Sequence, residues 1–557
     1  MSRIDEVLRF ETLRSELQTI ADEIAVRLAK SSFSPVIRDY LDFSTALCDP
    51  RGRLVAQGFS LPLHLGSIPR AIEAVLAKFP QGLAPGDVVI LNDPYNGGMH
   101  LPDVFCISGA HHDGEVVGYA VVVAHHADIG GRVPGGSAAD SREIFEEGLR
   151  LPPIHLVERG QMNEALLEVI RSNVRLPDIL VADLGAQRAG CESGSSELAA
   201  LIGRVGREVF ESAVEQIIDH SRRSLEAVIA TWPKGSYEFE DVEDHDGISD
   251  NPVAIHVRVE IGDGRVVIDF AGTADQVGGS INSTLSFTES ACYAAIRALC
   301  IEEVPVNEGF ISLVEVRTTP GTVVHARFPA GVAARGVIGY RVIECIFGAL
   351  SGALGDRIPA AGDGGTSGIR IGGYTTKGER FQLNDIVCGS WGARPDRDGI
   401  EGAATLAANV SNRPVEIVER EDPVRILTYG FVADSGGPGK FRGGLAIRRT
   451  IELLAPNATL NLRTHRNVTP PYGLHGGHPG SVSTTFLYRG ERSEQLPAKV
   501  TMRIIEGDII EHTTASGGGV GDPKDRGRSA LLADIAEGKV TRDHARAVYG
   551  FKDEEMA

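Results

Sequence analysis

A run of nine apolar or small residues at positions 116–124, with the sequence VVGYAVVVA, limits the possible folds most strongly. Such a run is typical of a strand that is buried on both faces of a sheet. Residues 104–108 predict a second strand, and Asp113-Gly114 predict the turn between the two. We therefore expect an antiparallel pair of strands here, the second of them wholly buried.

Helical and strand patterns alternate along the rest of the chain. Apolar residues recur at helical spacing over residues 5–30 and 196–232, and the second segment predicts one long helix that Pro233 ends. Strict alternation of apolar and polar residues over 255–261, followed by the turn Gly262-Asp263-Gly264 and a returning strand over 266–270, predicts a hairpin. These patterns predict an α+β protein of several mixed α/β subdomains, with antiparallel and mixed sheets.

The length and the shifts of pattern predict three regions. At about 100–200 residues per domain, a chain of 557 residues has room for several domains or subdomains. We predict an N-terminal metal-site region over 1–235, a central α/β region over 236–415 and a C-terminal β-rich region over 416–557 with a terminal helix. Glycine makes up 66 residues, or roughly 12 % against about 7 % in average proteins, and the C-terminal region is rich in glycine loops.

Charge and composition exclude several classes of function. The formal net charge of −20 argues against a nucleic-acid binder and against docking on anionic membranes. No apolar run resembles a signal peptide or reaches the roughly 18–20 residues of a membrane span. The seven cysteines are scattered without a Cys-x-x-Cys pair, so we expect a cytoplasmic protein. The Gly-x-x-x-x-Gly-Lys-Ser/Thr phosphate loop and the His-Glu-x-x-His zinc helix are absent from the sequence.

Histidine and aspartate residues cluster in the N-terminal region. Seven of the 16 histidines lie between residues 64 and 155. His100 and Asp103 flank a short turn that enters the first predicted strand, and His125 lies where the second one ends. If these strands pair antiparallel, the three side chains meet, and Asp42, in a polar turn, can add a fourth ligand. Such imidazoles and carboxylates suit Zn²⁺, Mn²⁺ or Fe²⁺ with an open position for water.

Three neighbouring residues are open to more than one interpretation. His126 and Asp128 follow in the stretch His-His-Ala-Asp-Ile-Gly-Gly, and His155 ends the stretch Pro-Pro-Ile-His. They can move a proton, orient a ligand or order a loop. A histidine at the end of a strand is also commonly a structural residue, so the spacing alone leaves the metal site as one of two interpretations.

Several motifs along the chain strongly resemble the hydantoinase B family, whose relatives include acetone carboxylase alpha subunits and the C-terminal half of ATP-dependent 5-oxoprolinase. The matching segments run nearly from end to end and include Asp42-Phe43-Ser44, Gly52-Arg53-Leu54-Val55-Ala56-Gln57, Asn92-Asp93-Pro94-Tyr95, Gly98-Met99-His100-Leu101-Pro102-Asp103, His125-His126-Ala127-Asp128-Ile129-Gly130-Gly131, Asp434-Ser435-Gly436-Gly437-Pro438-Gly439 and Gly517-Gly518-Gly519-Val520-Gly521-Asp522-Pro523. Their combination, rather than any single motif, makes the resemblance specific.

The resemblance implies a division of labour between two subunits in a hetero-oligomer such as (αβ)2. A partner of the hydantoinase A type binds ATP and phosphorylates the substrate, and the B-type subunit holds one divalent metal (Zn, Mn or Fe) and completes the reaction. The metal ligands of related carboxylases map onto His100, Asp103 and His125, and hydantoinase relatives place a carboxylate at Asp42. The implied reaction is hydrolysis of a cyclic amide, such as a hydantoin, a lactam or 5-oxoproline, by a metal-activated water. The candidate catalytic residues are His126, Asp128 and His155.

Two other functions are compatible with the same sequence. The family relatives include core subunits of ATP-dependent ketone carboxylases of acetone or acetophenone type, in which a phosphorylated enol meets CO₂ or bicarbonate. The length of 557 residues favours the hydrolase branch over the longer acetone carboxylase counterpart. The remaining alternative is a non-catalytic structural subunit that stabilises an ATPase partner.

Overall fold

The structure, a computed structural model, describes residues 3–58, 61–64, 66–355, 357–408 and 410–552, with side chains from residue 8 onward. Its helices are α1 (Arg3–Ser31), α2 (Pro35–Arg38), α3 (Ser67–Lys78), α4 (Glu164–Asn173), α5 (Pro177–Val205), α6 (Arg207–Ile229), α7 (Leu285–Leu299), α8 (Glu308–Ile311), α9 (Gly336–Leu350), α10 (Val415–Glu421), α11 (Arg528–Ala536) and α12 (Arg542–Tyr549). In the described ranges, no helix is both long enough and apolar enough to cross a membrane.

The helical segment predicted over 196–232 is divided into two helices. Helix α5 ends at Val205 and α6 begins at Arg207. Gly206 between them has a φ of 85°, a left-handed value that glycine adopts readily and that interrupts the helical hydrogen bonds. The helical pattern is therefore confirmed, but the single long helix is not.

The first sheet lies in the N-terminal region and is antiparallel. Its strands are β1 (Phe43–Cys48), β2 (Leu54–Gln57), β3 (Val88–Leu91), β4 (Asp103–His112), β5 (Glu115–His125), β6 (Ile154–Glu158) and β7 (Gln161–Met162). They are arranged in the order β2-β1-β5-β4-β3-β6-β7. The predicted pair of strands is confirmed as β4 and β5, which are joined by a turn at Asp113-Gly114.

Strand β5 separates two parts of the apolar core. Val121 and Val123 pack in the part that contains Phe287 of α7. Ala120 and Val122 point to the opposite face and pack in the part formed with α1 and α5. The strand is therefore buried on both faces, as its uninterrupted apolar sequence predicts.

A second sheet is mixed and contains β8 (Gly235–Glu243), β9 (Val253–Gly262), β10 (Arg265–Asp269) and β11 (Val314–Arg317). Strands β9 and β10 form the predicted hairpin over 255–261 and 266–270, and β10 pairs with β11 in parallel. This combination of helices with antiparallel and mixed sheets confirms the predicted α+β fold class.

The remaining strands form two antiparallel sheets. These strands are β12 (Ser367–Tyr374), β13 (Arg380–Val387), β14 (Val424–Phe431), β15 (Ile447–Leu453), β16 (Asn457–Arg463), β17 (Thr484–Arg489), β18 (Arg492–Gln495), β19 (Lys499–Ile505) and β20 (Ile509–Thr513). The third sheet has the order β13-β12-β16-β19, and the fourth has the order β14-β15-β20-β17-β18. The third sheet contains strands from both sides of the predicted boundary at residue 415. The division of the chain into three regions stays a prediction.

Candidate metal centre

Three of the predicted ligands converge at one end of the two central strands of the first sheet, where β4 begins and β5 ends. Asp103 and His125 are cross-strand partners in the β4–β5 ladder. The amide of Asp103 donates a 3.0 Å hydrogen bond to the carbonyl of His100, which closes the turn before β4. One ligand atom from each of the three side chains lies within 4.8 Å of the other two. Antiparallel pairing therefore brings these side chains together.

The ligand atoms of this group are buried and lack hydrogen-bond partners. The Nδ1 atom of His100 donates a 3.2 Å hydrogen bond to the carbonyl of Ala333, which leaves Nε2 as the free ring nitrogen. This Nε2 atom lies 3.1 Å from Asp103 Oδ1. Even so, neither atom makes a hydrogen bond to a described residue, and the same is true of His125 Nδ1. Since buried polar atoms nearly always have a partner, the three atoms fit a divalent ion.

The protonation states also fit a metal. Burial lowers the pKa of His100 to about 4 and lowers the pKa of His125 well below its usual value, so both imidazoles are neutral at pH 7. Burial opposes ionisation of Asp103, but His100 and Arg335 hold the pKa of this carboxyl below its usual range. Arg335 makes an ion pair with Asp103 and lies 4.2 Å from the centre of the Phe287 ring. Neutral imidazoles and an ionised carboxylate are the forms that bind metals.

The three side chains face a cavity of about 80 Å³ that residues of the first sheet, α9 and the third sheet line together. Asp42, just before β1, is also part of its wall. Burial and the charge of Asp103 raise the pKa of Asp42 to about 7. Asp42 is not a member of the group of atoms that meet within 4.8 Å. Its role as a fourth ligand stays a prediction.

His126 and Asp128 lie next to the centre in sequence but make contacts elsewhere. His126 Nε2 lies 2.8 Å from Oε1 of Gln187 on α5. Asp128 accepts a 3.0 Å hydrogen bond from Nη1 of Arg175 and a 3.1 Å hydrogen bond from the amide of Gly130. Neither residue is among the described residues that line the cavity. These contacts order the loop that follows β5.

His155 is not brought to the cavity. It lies on β6, where its Nε2 atom is 3.3 Å from Asp87 and its ring packs against Phe79 with 4.6 Å between the ring centres. The sequence placed it with the other histidines only because β6 follows the same hairpin in the chain.

The cavity contains residues that no sequence pattern singled out. His64 is one of them, and its Nδ1 atom lies 2.8 Å from the hydroxyl of Ser44. Burial lowers the pKa of His64 to about 4. The Asp-Phe-Ser motif was the available signal, because its serine holds this histidine. Arg370 and Arg463 also line the cavity, and isolated arginines on strands carry no such signal.

Comparison with known proteins assigns the chain to a family. Residues 6–523 match the sequence model of the Hydantoinase B/oxoprolinase family. The chain belongs to this family. The family assignment that the motifs indicated is thereby confirmed.

The relatives include components of two enzymes that act on cyclic amides. A protein of Pseudomonas sp. (strain NS671) that is named as the B component of a D-/L-hydantoinase is 30 % identical over 570 residues, which cover 99 % of this chain and 95 % of that protein. The caprolactamase beta chain of Pseudomonas jessenii is 30 % identical over 567 residues, which cover 99 % of this chain and 96 % of that protein. The 5-oxoprolinase 1 of Arabidopsis thaliana is 28 % identical and matches 93 % of this chain but 42 % of its own length.

Two solved structures share the fold. The ATP-dependent caprolactamase from Pseudomonas jessenii superimposes with a TM-score of 0.92 at 27 % identity, over 98 % of this chain and 97 % of that chain. A nucleotide-free acetone carboxylase superimposes with a TM-score of 0.90 at 20 % identity, over 98 % of this chain and 80 % of that chain. At that identity, the second similarity is one of fold alone.

Proposed function

We propose that this chain is the B-type subunit of an ATP-dependent hydrolase of cyclic amides. It completes the hydrolysis of a substrate whose amide oxygen a hydantoinase A-type partner has phosphorylated. The observation that carries the proposal is the group of buried, unpartnered ligand atoms of His100, Asp103 and His125 at a cavity. The names of the hydantoinase and caprolactamase relatives support the substrate class.

The reaction requires an activated carbon and water. Nitrogen donation stabilises the carbonyl of an amide, and phosphorylation of the oxygen makes this carbon electrophilic. Water adds to the carbon, the C–N bond breaks, and the nitrogen leaves as an amine with a proton from that water. A second water releases phosphate from the resulting acyl phosphate. One ATP and two waters thus give the ring-opened acid, ADP and phosphate.

We infer that His100, Asp103 and His125 hold one divalent ion, either Zn, Mn or Fe, and that Asp42 adds a fourth ligand. When bound, the ion supplies Lewis acidity and lowers the pKa of water. His64, neutral at pH 7 and oriented by its contact with a serine hydroxyl, accepts a proton in the same cavity.

The proposal includes a partner and a compartment. ATP is bound by the A-type subunit, and the two chains form a hetero-oligomer such as (αβ)2. The hydantoinase and caprolactamase relatives are each named as one component of a larger enzyme, which supports a multi-subunit assembly. We propose a cytoplasmic location, which is supported by seven cysteines that are all free and buried.

The test is co-purification with the neighbouring A-type subunit, followed by metal analysis and a screen for lactam-dependent release of ADP. We expect about one divalent ion per chain and ATP turnover that depends on a cyclic amide. The His125→Ala variant should lose the ion and the turnover but still bind the partner subunit. The control is His112→Ala, at the far end of the β4–β5 hairpin, which should keep the ion, the turnover and the partner.

Two results would contradict the proposal. Turnover in a complex without bound metal would support a different mechanism or a purely structural role for this subunit. ATP turnover that requires a ketone and bicarbonate would support the carboxylase alternative, whose fold this chain shares.

A further inference from the structure

Two buried arginines in the cavity have no charge partner. Arg370 on β12 is 8 % exposed and Arg463 on β16 is 9 % exposed. Nη1 of the first and Nε of the second are buried without a hydrogen bond. Asp42 shares the cavity, but neither arginine forms an ion pair with it or with any other residue in the described ranges. An unpaired buried charge is costly, so it calls for an anion that binds there.

The pairing of β12 with β16 in the third sheet brings the side chains of Arg370 and Arg463 close together. Gly368 lies opposite Arg463 in the β12–β16 ladder, and Arg370 follows two residues later on the same face. A Cβ atom on Gly368 would lie 3.4 Å from Nη1 of Arg370 and 3.7 Å from Nη2 of Arg463. The absence of a side chain at this glycine therefore leaves the space beside both guanidinium groups open.

Two amide side chains complete this face of the sheet. Asn461 lies across the ladder from Arg370, and both polar atoms of its buried side chain lack a partner. Asn384 is the partner of Arg370 on the other side and lines the cavity. The opposite face of the same strands carries apolar residues such as Ile369 and Leu462, which pack in the core. One face thus stabilises the fold, and the other carries the two unpaired arginines that line the cavity.

We propose that Arg370 and Arg463 bind an oxyanion of the substrate beside the group of metal ligands. This inference rests on the proposed function, in which the substrate carries a phosphoryl group and, in the case of 5-oxoproline, also a carboxylate. Both groups present paired oxygens that a guanidinium group recognises with two hydrogen bonds. The arginines would hold the anionic group while the reacting carbon faces His100, Asp103 and His125 in the same cavity.

The test is calorimetric titration of the full-length chain after removal of metal, so that an anion cannot bind to an ion. The probes are inorganic phosphate, 5-oxoproline and uncharged caprolactam. Arg370→Gln and Arg463→Gln should each weaken binding of the anionic probe about tenfold or more, as expected for a lost charge-assisted hydrogen bond. Arg503→Gln is the matched control, because Arg503 lies on the same face of the same sheet but is exposed.

The probes distinguish the two sources of the anion. Binding of phosphate that both variants weaken would identify the phosphoryl group, and selective binding of 5-oxoproline over caprolactam would identify a carboxylate. Binding of neither anion, or equal affinity in the wild type and both variants, would overturn the inference. If the glutamine variants do not fold, Arg370→Lys and Arg463→Lys keep the charge and should still weaken binding, since lysine lacks the two-pronged geometry.

Failure of this inference is separable from failure of the proposed function. Anion binding that depends on the arginines, in a complex without lactam-dependent ATP turnover, would reject the function and retain the anion site. Lactam-dependent turnover with normal KM and kcat in both glutamine variants would retain the function and reject the anion site.

Discussion

Two groups of buried charges lie side by side in this protein, and they differ in whether their cations are paired with carboxylates. In the first group, which we call the paired network, Glu243 accepts hydrogen bonds from Arg341 at 3.0 Å and from Lys499 at 2.7 Å. Arg466 pairs with Asp241 at 2.8 Å in the same network. Each cation of the network therefore has a carboxylate in contact, and the network joins the second sheet to α9 and the third sheet.

The second group is the cavity beside it. Arg463 is the cross-strand neighbour of Lys499, yet it has no carboxylate in contact, and the same is true of Arg370. His100 and His125 also present ring nitrogens without partners. Burial is similar in the two groups, so burial does not explain the difference. A charge that is paired within the chain needs no ligand as its partner. Buried groups without a partner in the chain are retained where a ligand supplies the missing interaction.

The largest expected effect tests the cavity. His100→Ala should lower turnover of the complex by at least about a hundredfold, because the loss of even an outer-shell partner of a metal ligand costs 10–100-fold. The paired network is untouched, so the variant should fold and bind its partner normally. Steady-state kinetics with metal analysis measure this. Normal metal content and normal turnover would show that the unpartnered atoms do not form the centre.

The next effect tests the paired network. Glu243→Gln should lower the free energy of unfolding by about 3–5 kcal/mol, because it leaves Lys499 buried without an anion and removes one of the carboxylates in contact with Arg341. Urea denaturation measures the loss. The control is Glu315→Gln, whose partner Arg317 is exposed, and the expected loss is below about 1 kcal/mol. A loss of similar size in both variants would show that burial of the paired network does not increase the contribution of its ion pairs to stability.

A pH series sharpens the same comparison. Burial opposes ionisation of Glu243, but Lys499 and Arg341 lower the pKa of its carboxyl from 4.5 to about 2. Because the folded pKa is the lower one, the stabilisation is present above pH 4.5 and is lost as the pH falls towards 2. The difference between wild type and Glu243→Gln should therefore shrink by about 3 kcal/mol over this range. A difference that is independent of pH would contradict the assignment.

The smallest effect is expected at the neighbouring unpaired arginine. Arg463→Gln should change the free energy of unfolding by less than about 1 kcal/mol, or should raise it, because the substitution removes an unpaired buried charge. Thermal and urea unfolding measure this in the chain without ligand. A loss as large as that of Glu243→Gln would place Arg463 in the paired network.

Local patterns predicted much of the fold. The period of α1, the alternation in β9 and the uninterrupted apolar run of β5 each depend on residues close in sequence, and each is borne out. The break at Gly206 was missed, because a glycine within a helical pattern is compatible with a helix until its φ is known.

The convergence of the ligand group was also within reach of sequence reasoning. His100, Asp103 and His125 belong to one hairpin, and the register of a hairpin follows from its turn and its pattern of apolar residues. His155 belongs to another strand, and it was grouped with these residues only by its position in the sequence, which does not determine which end of a sheet a side chain faces.

The sequence by itself determined the family, the fold class and the three side chains that one hairpin brings together. Only the tertiary structure decided what faces them. Arg335 lies 232 residues from its partner Asp103, and Arg370 and Arg463 come from strands of another sheet. Which donors meet across such separations depends on how sheets pack against each other, and no local periodicity encodes that packing.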